Sequence, residues 1–239
     1  MDPQGICSAC SWSPTRQEEC RYNSHVKLFY GVSNRGPPNF ESLNIRFLTE
    51  IISIPIPKVV EEWQEDDGTC FLLTKRIQGS PLKRVAKQTA EYVTQLRELQ
   101  SNQLESLGGQ QLYSAFLFPN GYGIGHGPFS SDDELATPYT FTHGDFTNVN
   151  LIVNNGILSG ILDWESSGYF PVWWEFTAAG ISLGKDDKEW KELLRKYVPD
   201  HTEAHNLWLD FFALRKYPNV DERGIRFLKS CRLSLPNQA

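Results

Sequence analysis

Apolar and polar positions first fall into a regular order at His25. The stretch H-V-K-L-F-Y at 25–30 alternates Val26, Leu28 and Tyr30 against Lys27 and Phe29, which predicts a strand. Gly, Pro and Asn make S-N-R-G-P-P-N at 33–39 a turn. From Glu41 to Ile52 an apolar stripe of Leu43, Phe47 and Leu48 predicts a helix. I-P-I-P at 54–57 ends it, because proline cannot continue the hydrogen-bond ladder. Strands are then expected at 58–63 and 70–77, joined across E-D-D-G. Q-G-S-P at 78–81 breaks the chain, and a helix is expected from about Leu82 to Leu107, with Val85, Thr89, Tyr92, Val93, Leu96, Leu99 and Leu104 near one face.

Residues 108–138 read as loop. Within them G-Y-G-I-G-H-G at 121–127 has the look of a phosphate cradle, but no strand signal precedes it, so a surface loop is the expectation. Short strands follow at 139–142, 151–153 and 157–162, the last two around the turn N-N-G. Helices are predicted over Trp173–Leu183, Asp187–Tyr197, His201–Tyr217 and Asp221–Leu233. The order is strand, helix, strand, strand, then mostly helix. That order predicts an α+β, bilobal architecture: a tail at 1–21, a small β-rich lobe at 22–79 and a larger helical lobe at 80–239.

Composition narrows the class. A chain of 239 residues with 40% apolar content suits one large domain or two small lobes around a cleft. A net charge of −6 argues against a nucleic-acid surface, which needs a basic stripe. No apolar run approaches the roughly 20 residues of a membrane span, and M-D-P-Q-G-I-C lacks the segments of a signal peptide. A cytoplasmic, soluble protein is expected. The five cysteines, Cys7, Cys10, Cys20, Cys70 and Cys231, are odd in number and scattered, so free thiols are expected rather than staples. Only His25 stands near enough in sequence to complete a zinc set with Cys7, Cys10 and Cys20, and a metal there is not expected.

The chemistry is concentrated in T-H-G-D-F-T-N-V-N at 142–150 and G-I-L-D-W-E at 160–165. Such residues hold a metal, take a proton or make turns. A hairpin built from L-I-V, N-N-G and G-I-L would fold Asp163 back beside Asn150. One carboxylate and one carboxamide oxygen would then converge, a donor pair suited to Mg²⁺. Asp145 would stay one loop away, free to accept a proton from a hydroxyl. Phosphoryl transfer needs that division of labour.

On these residues the chain resembles the aminoglycoside phosphotransferase and choline kinase family, of protein-kinase-like fold, and within it the fungal members with unassigned substrates. The matching segments are V-K at 26–27, E-S-L-N-I-R-F-L at 41–48, S-I-P-I-P-K-V at 53–59, the two chemical motifs, and Y-F-P-V-W-W-E at 169–175. The resemblance covers about residues 22–235. It implies ATP and Mg²⁺ as cofactors. Lys27 would reach the α- and β-phosphates, with Glu41 paired to it, and the backbone of Thr74, Lys75, Arg76 and Ile77 would hold the adenine. Asp145 would be the catalytic base, His143 the support of its loop, and Asn150 and Asp163 the metal ligands. The implied partner is a small molecule bearing a hydroxyl; Trp173 and Trp174 are expected to be core, though a ring facing the cleft would stack on a cationic substrate. Neither nucleic acid nor membrane is implied.

The pattern departs from that family in two places. Only Gly5 precedes Lys27, so the glycine turn over the phosphates is expected to be shortened or lost, and A-T-P-Y-T-F joins the loop before 136 directly to T-H-G-D. An enzyme, a small-molecule kinase, is the leading expectation. The alternatives are a pseudokinase that binds without turnover, and a kinase-fold enzyme turned to a non-phosphoryl reaction such as a cyclase or lyase. His201 and His205 are four apart with Glu203 between, and a solvated helix face is expected there rather than a metal pair. Glu165 and Glu175 are read equally as cleft charges and as ordinary acids.

Overall fold

A computed structural model describes residues 25–30, 40–64, 70–81, 85–114, 116–118, 124–130 and 138–231. The tail at 1–21, the Cys7, Cys10 and Cys20 cluster, the region of the shortened glycine turn and the turns at 33–39 and 65–68 lie outside the described residues.

The strands and the helix expected before residue 78 form, but the buried face of the helix is turned from the expected stripe: Leu43 is exposed and Ile45 takes its place beside Leu48. Strand β1 (His25–Tyr30) is followed by helix α1 (Phe40–Ile51), then β2 (Val59–Gln64) and β3 (Cys70–Lys75). The strands make one antiparallel sheet in the order β1-β3-β2, with Lys27 opposite Leu73 and Trp63 opposite Phe71. Helix α1 buries Ile45 and Leu48, and β3 buries Leu72 and Leu73. Removing each such side chain from water contributes about 1.5–3 kcal/mol.

Beyond Lys75 the chain runs without ladder bonds to β4 (Ser80–Pro81), then enters α2 (Ala86–Arg97). The long helix expected to reach Leu107 ends ten residues early. Leu99 instead gives its carbonyl to the Phe141 N–H at 2.9 Å, and Gln100 and Ser101 form β5 against the strand Tyr139–Thr142. Ladder bonds to a buried neighbouring strand outweigh the modest helix propensity of Q-S-N-Q. Two further short strands, β6 (Gln103–Leu104) and β7 (Phe129–Ser130), pair with each other. The described part of the glycine-rich 121–127 stretch is loop, bridged from His126 to Leu112.

Strands β8 (Tyr139–Thr142), β9 (Leu151–Asn154), β10 (Ile157–Ile161) and β11 (Gly168–Phe170) then carry the chemical motifs on their connections. They make two small sheets, β10-β9-β4 and β11-β8-β5. The β9–β10 turn uses Asn155 at φ 51° and Gly156 at φ 79°, the left-handed pair that a two-residue hairpin requires. Helices α3 (Trp174–Ala178), α4 (Lys185–Leu194), α5 (Thr202–Ala213) and α6 (Glu222–Ser230) complete the larger lobe, with a 3-10 turn at Leu214–Lys216. Helix α3 is shorter than the expected span to Leu183, because Gly180 follows it and leaves room for His205, whose ring a Cβ there would strike.

One apolar cluster joins Ile45 and Leu48 of α1 to Val93 and Leu96 of α2, Leu151, Ile161 and Trp164, and Trp190 and Leu194 of α4. The lobes therefore share a core. A second cluster gathers Leu112, Phe170, Trp174 and Trp208. Trp174 is thus core, 2% exposed, and does not face a cleft. His201 and His205 do not form a solvated face. His205 is buried, and both rings stand edge-on to Phe176. No helix among the described residues is long and apolar enough to cross a membrane.

Candidate active site

The loop from His143 to Asn150 links β8 to β9, and Gly144 gives it its sharp start at φ 82°. A side chain there would be strained by that backbone and would approach the Ser166 carbonyl. His143 follows as a fully buried anchor. Its Nε2 lies 2.9 Å from the Leu162 carbonyl, and its Nδ1 accepts the Asp145 N–H at 3.2 Å. One nitrogen therefore donates and the other accepts, which defines a neutral imidazole. Burial holds its pKa down at about 4. The ring stacks on Phe146 and meets Trp164 edge-on. With both nitrogens occupied by backbone, His143 orders the loop and is not free to exchange protons with a bound molecule.

Asn150 joins the two aspartates. Its Nδ2 donates to the Asp145 carbonyl at 3.0 Å, to Asp145 Oδ2 at 3.2 Å and to Asp163 Oδ2 at 3.4 Å. The Leu162 N–H donates to the Asn150 carbonyl at 2.8 Å, which fastens the end of β10 to the loop. Asp145 is thus not a full loop away from the other two. The amide nitrogen, rather than the oxygen, stands between the carboxylates, since only a donor can face two acceptors.

Asp163 sits at φ 64°, a left-handed conformation uncommon for a residue with a side chain. Several groups hold the turn. Asn44 of α1, fully buried, donates to the Trp164 carbonyl at 2.7 Å. Trp164 Nε1 donates to the Ile161 carbonyl at 2.9 Å. Glu41, one turn earlier on α1, is 2% exposed and faces the backbone N–H groups of Trp164 and Asp163. Glu41 therefore points to the Asp163 turn. Where the Lys27 side chain stands lies outside what the structure describes, while its backbone holds a place on β1 opposite Leu73.

Burial and neighbouring acids push these carboxyls upward together. Burial first, then Glu165 and Asp145, raise Asp163 to about 7. Burial, with Asp163 next, raises Glu41 to about 8. Asp145 is raised by burial, but the Lys191 ammonium pulls it back. Glu165, exposed beside them, is raised by desolvation and by Asp145. A cation is what lets such carboxylates ionise side by side. Asn150 and Asp163 offer hard oxygen donors of the kind Mg²⁺ takes, and the Asn150 carboxamide carries an oxygen on its other arm. Among the described residues no group of three or more His, Cys, Asp or Glu is placed to hold a metal. Two protein ligands suffice where phosphate oxygens and water supply the rest.

Glu175, which the sequence leaves between cleft acid and ordinary acid, is a fully enclosed support. It accepts the His143 N–H at 2.9 Å and approaches the Gly144 N–H at 3.3 Å. Burial raises its pKa to about 7 despite those donors and the nearby Arg97. Of the adenine-segment residues, Thr74 is buried in β3, Lys75 is exposed, and Arg76 and Ile77 are half-buried. Ile77 packs on Gly160, where an added Cβ would strike it, and Ser159 Oγ donates to the Gln78 carbonyl at 3.0 Å. The segment expected to hold adenine is thus tied to β10, two residues from Asp163.

Comparison with known proteins bears on the fold and on the segment that carries these residues. Residues 130–208 match the model of the phosphotransferase enzyme family. The fold is the protein-kinase-like fold of the aminoglycoside phosphotransferases. A thermostable mutant of aminoglycoside phosphotransferase APH(4)-Ia, solved as a ternary complex with ADP and hygromycin B, superposes with a TM-score of 0.52 at 14% identity, covering 80% of each chain. Its apo form gives 0.51 at 15% identity, again with 80% of each chain covered. A further structure of APH(4)-Ia gives 0.50 at 12% identity over 94% of this chain and 96% of that one. No curated protein matches by sequence. The resemblance read from T-H-G-D-F-T-N-V-N and I-L-D-W-E is therefore one of fold and of family signature together.

Proposed function

We propose that the chain is an ATP- and Mg²⁺-dependent phosphotransferase that acts on a hydroxyl of a small molecule. The observation carrying this reading is that the Asn150 amide lies 3.2 Å from Asp145 Oδ2 and 3.4 Å from Asp163 Oδ2. Three groups from two connections converge on one point, as positioning of phosphates and nucleophile requires. Magnesium, when bound with the nucleotide, neutralises charge on the phosphate oxygens. Asp163 and Asn150 would be its protein ligands. Asp145 would accept the proton of the acceptor hydroxyl and orient that oxygen toward the γ-phosphorus.

The remaining assignments follow the same reading. His143 and Glu175 keep the loop in shape. Lys27 reaches the phosphates, Glu41 holds the turn that carries Asp163, and the backbone of Thr74, Lys75, Arg76 and Ile77 holds the adenine. That segment belongs to T-K-R-I-Q-G at 74–79, the hinge between a lobe at 22–79 and one at 80–239. The acceptor is a hydroxylated small molecule, and the gathering of Asp145, Asp163 and exposed Glu165 favours a cationic one, acted on in the cytoplasm.

Calorimetric titration with ATP, with and without Mg²⁺, on wild type and Asp163→Ala tests the reading. Metal-dependent binding that the variant loses supports it. No binding by wild type at millimolar ATP would sink it.

A further inference from the structure

Helix α4 lies outside every segment that carries the chemical motifs, yet one of its faces grips the loop that bears Asp145 and Asn150. Asp187, Trp190 and Lys191 stand at i, i+3 and i+4, so one face presents all three. Trp190 Nε1 donates to the Phe146 carbonyl at 2.9 Å. Asp187 Oδ1 accepts the Asn148 N–H at 3.0 Å, and its Oδ2 accepts the Leu183 N–H at 2.9 Å. Lys191 Nζ lies 3.3 Å from Asp187 Oδ2 and donates to the Ile181 carbonyl at 2.6 Å. The two charged side chains are 4% and 5% exposed.

The two grips fall at alternate residues of the loop, between Asp145 and Asn150. Within it the Thr147 N–H donates to the Asp145 carbonyl at 2.7 Å and the Asn150 N–H to the Thr147 carbonyl at 3.1 Å. Those bonds make a tight local turn, and α4 fixes that turn from outside at Phe146 and Asn148. A buried ion pair is a weak source of stability compared with apolar packing. A pair enclosed this fully, which binds the Asn148 N–H of the loop and ties it to Leu183 and Ile181, is better explained by what it orders.

We propose that Asp187, Trp190 and Lys191 are positioning residues that fix the spacing of Asp145 and Asn150. Asp187 takes the Asn148 N–H, Trp190 takes the Phe146 carbonyl, and Lys191, paired with Asp187 Oδ2, keeps Asp187 aimed. The inference rests on the phosphotransferase reading for its chemical consequence, but not for the clamp itself.

Trp190→Phe keeps the ring and removes the donor, and the paired variant Asp187→Asn with Lys191→Met removes both charges without orphaning either. Hydrogen exchange read by mass spectrometry follows segment 146–150, with α2 and β8 as internal controls. We expect exchange of 146–150 to quicken in both variants while the controls hold. The Mg²⁺-dependent part of ATP affinity should fall by about tenfold, the usual effect of removing support behind a metal ligand, and ATP binding without metal should be unchanged. Unaltered exchange at 146–150, or a uniform rise across the chain, overturns the clamp. Faster local exchange with Mg²⁺-dependent binding intact overturns the positioning role. If wild type shows no Mg²⁺-dependent binding but exchange quickens only at 146–150, the phosphotransferase reading fails and the clamp stands.

Discussion

Glu175 accepts the backbone N–H of His143 at 2.9 Å from a position 32 residues later in the chain. That bond places a carboxylate beneath the residue that opens the Asp145 loop, with both partners buried. Replacing Glu175 by Gln keeps one acceptor oxygen and removes the buried charge, whereas Ala leaves the His143 and Gly144 N–H groups unpaired. We expect Glu175→Ala to lower unfolding stability by about 1–3 kcal/mol and Glu175→Gln to be close to neutral. Urea unfolding at pH 7 separates the two outcomes, and equal losses would deny Glu175 its role as acceptor.

Asp145 is expected to be dispensable for nucleotide binding and indispensable for turnover. Asp145→Asn preserves the contact with Asn150 but cannot accept a proton, so ADP release with an acceptor should fall by about 10²–10⁴-fold, the range for a lost general base. The assay is coupled ADP detection across a panel of hydroxylated cations, with ATP affinity measured alongside. Acceptor-dependent ADP surviving the substitution would remove Asp145 from that role.

Asn44 supports the Asp163 turn through one bond, 2.7 Å to the Trp164 carbonyl, made where neither group meets water. Asn44→Ala should lower stability by about 0.5–1.5 kcal/mol, because a buried hydrogen bond is lost while the Trp164 carbonyl keeps the Ser167 N–H at 3.2 Å. It should also weaken Mg²⁺-dependent ATP binding, because Asp163 at φ 64° loses part of what holds it. Thermal unfolding and titration with MgATP check the two effects separately.

Much of the site was legible because it is local. L-I-V and G-I-L are short apolar runs on either side of N-N-G, a turn whose residues tolerate left-handed backbone, so a hairpin returns Asp163 beside Asn150. The supports were not legible for the opposite reason. Asp187, Trp190 and Lys191 read as one more amphipathic helix, and the loop they grip lies about forty residues earlier, as the Asn148–Asp187 bond records. Nothing in a helix period names its partner. The signal that was available is an Asp and a Lys at i, i+4 on the same side as a Trp, since charges on an apolar face want a specific use. Helix α2 taught the related lesson. Its apolar spacing continues through Leu99 and Leu104, but β8 competes for that stretch with ladder bonds that a window of residues cannot see.

The metal-free protein should gain stability as pH falls from 8 toward 5, and the sign follows from which form each group prefers. Glu41, Asp163 and Glu175 have folded pKa values of about 8, 7 and 7, above ordinary values of 4.5, 3.8 and 4.5. Their neutral forms are favoured in the folded chain. That preference is fully present below the ordinary values and lost as pH rises through the folded ones, by about 1.4 kcal/mol for each pKa unit. His143 acts the other way: its pKa drops from 6.5 to about 4, so its contribution is present above 6.5 and lost as pH falls toward 4. Between pH 6.5 and 8 only the three carboxyls of this set titrate differently from the unfolded chain, and stability should fall with rising pH. Below 6.5 they outnumber the single imidazole until pH nears 5. Thermal unfolding in EDTA across that range should show the slope, and Asp163→Asn should flatten it. A melting temperature that rises from pH 6.5 to 8 would mean that these carboxyls are already ionised in the fold, each with a cationic partner beside it.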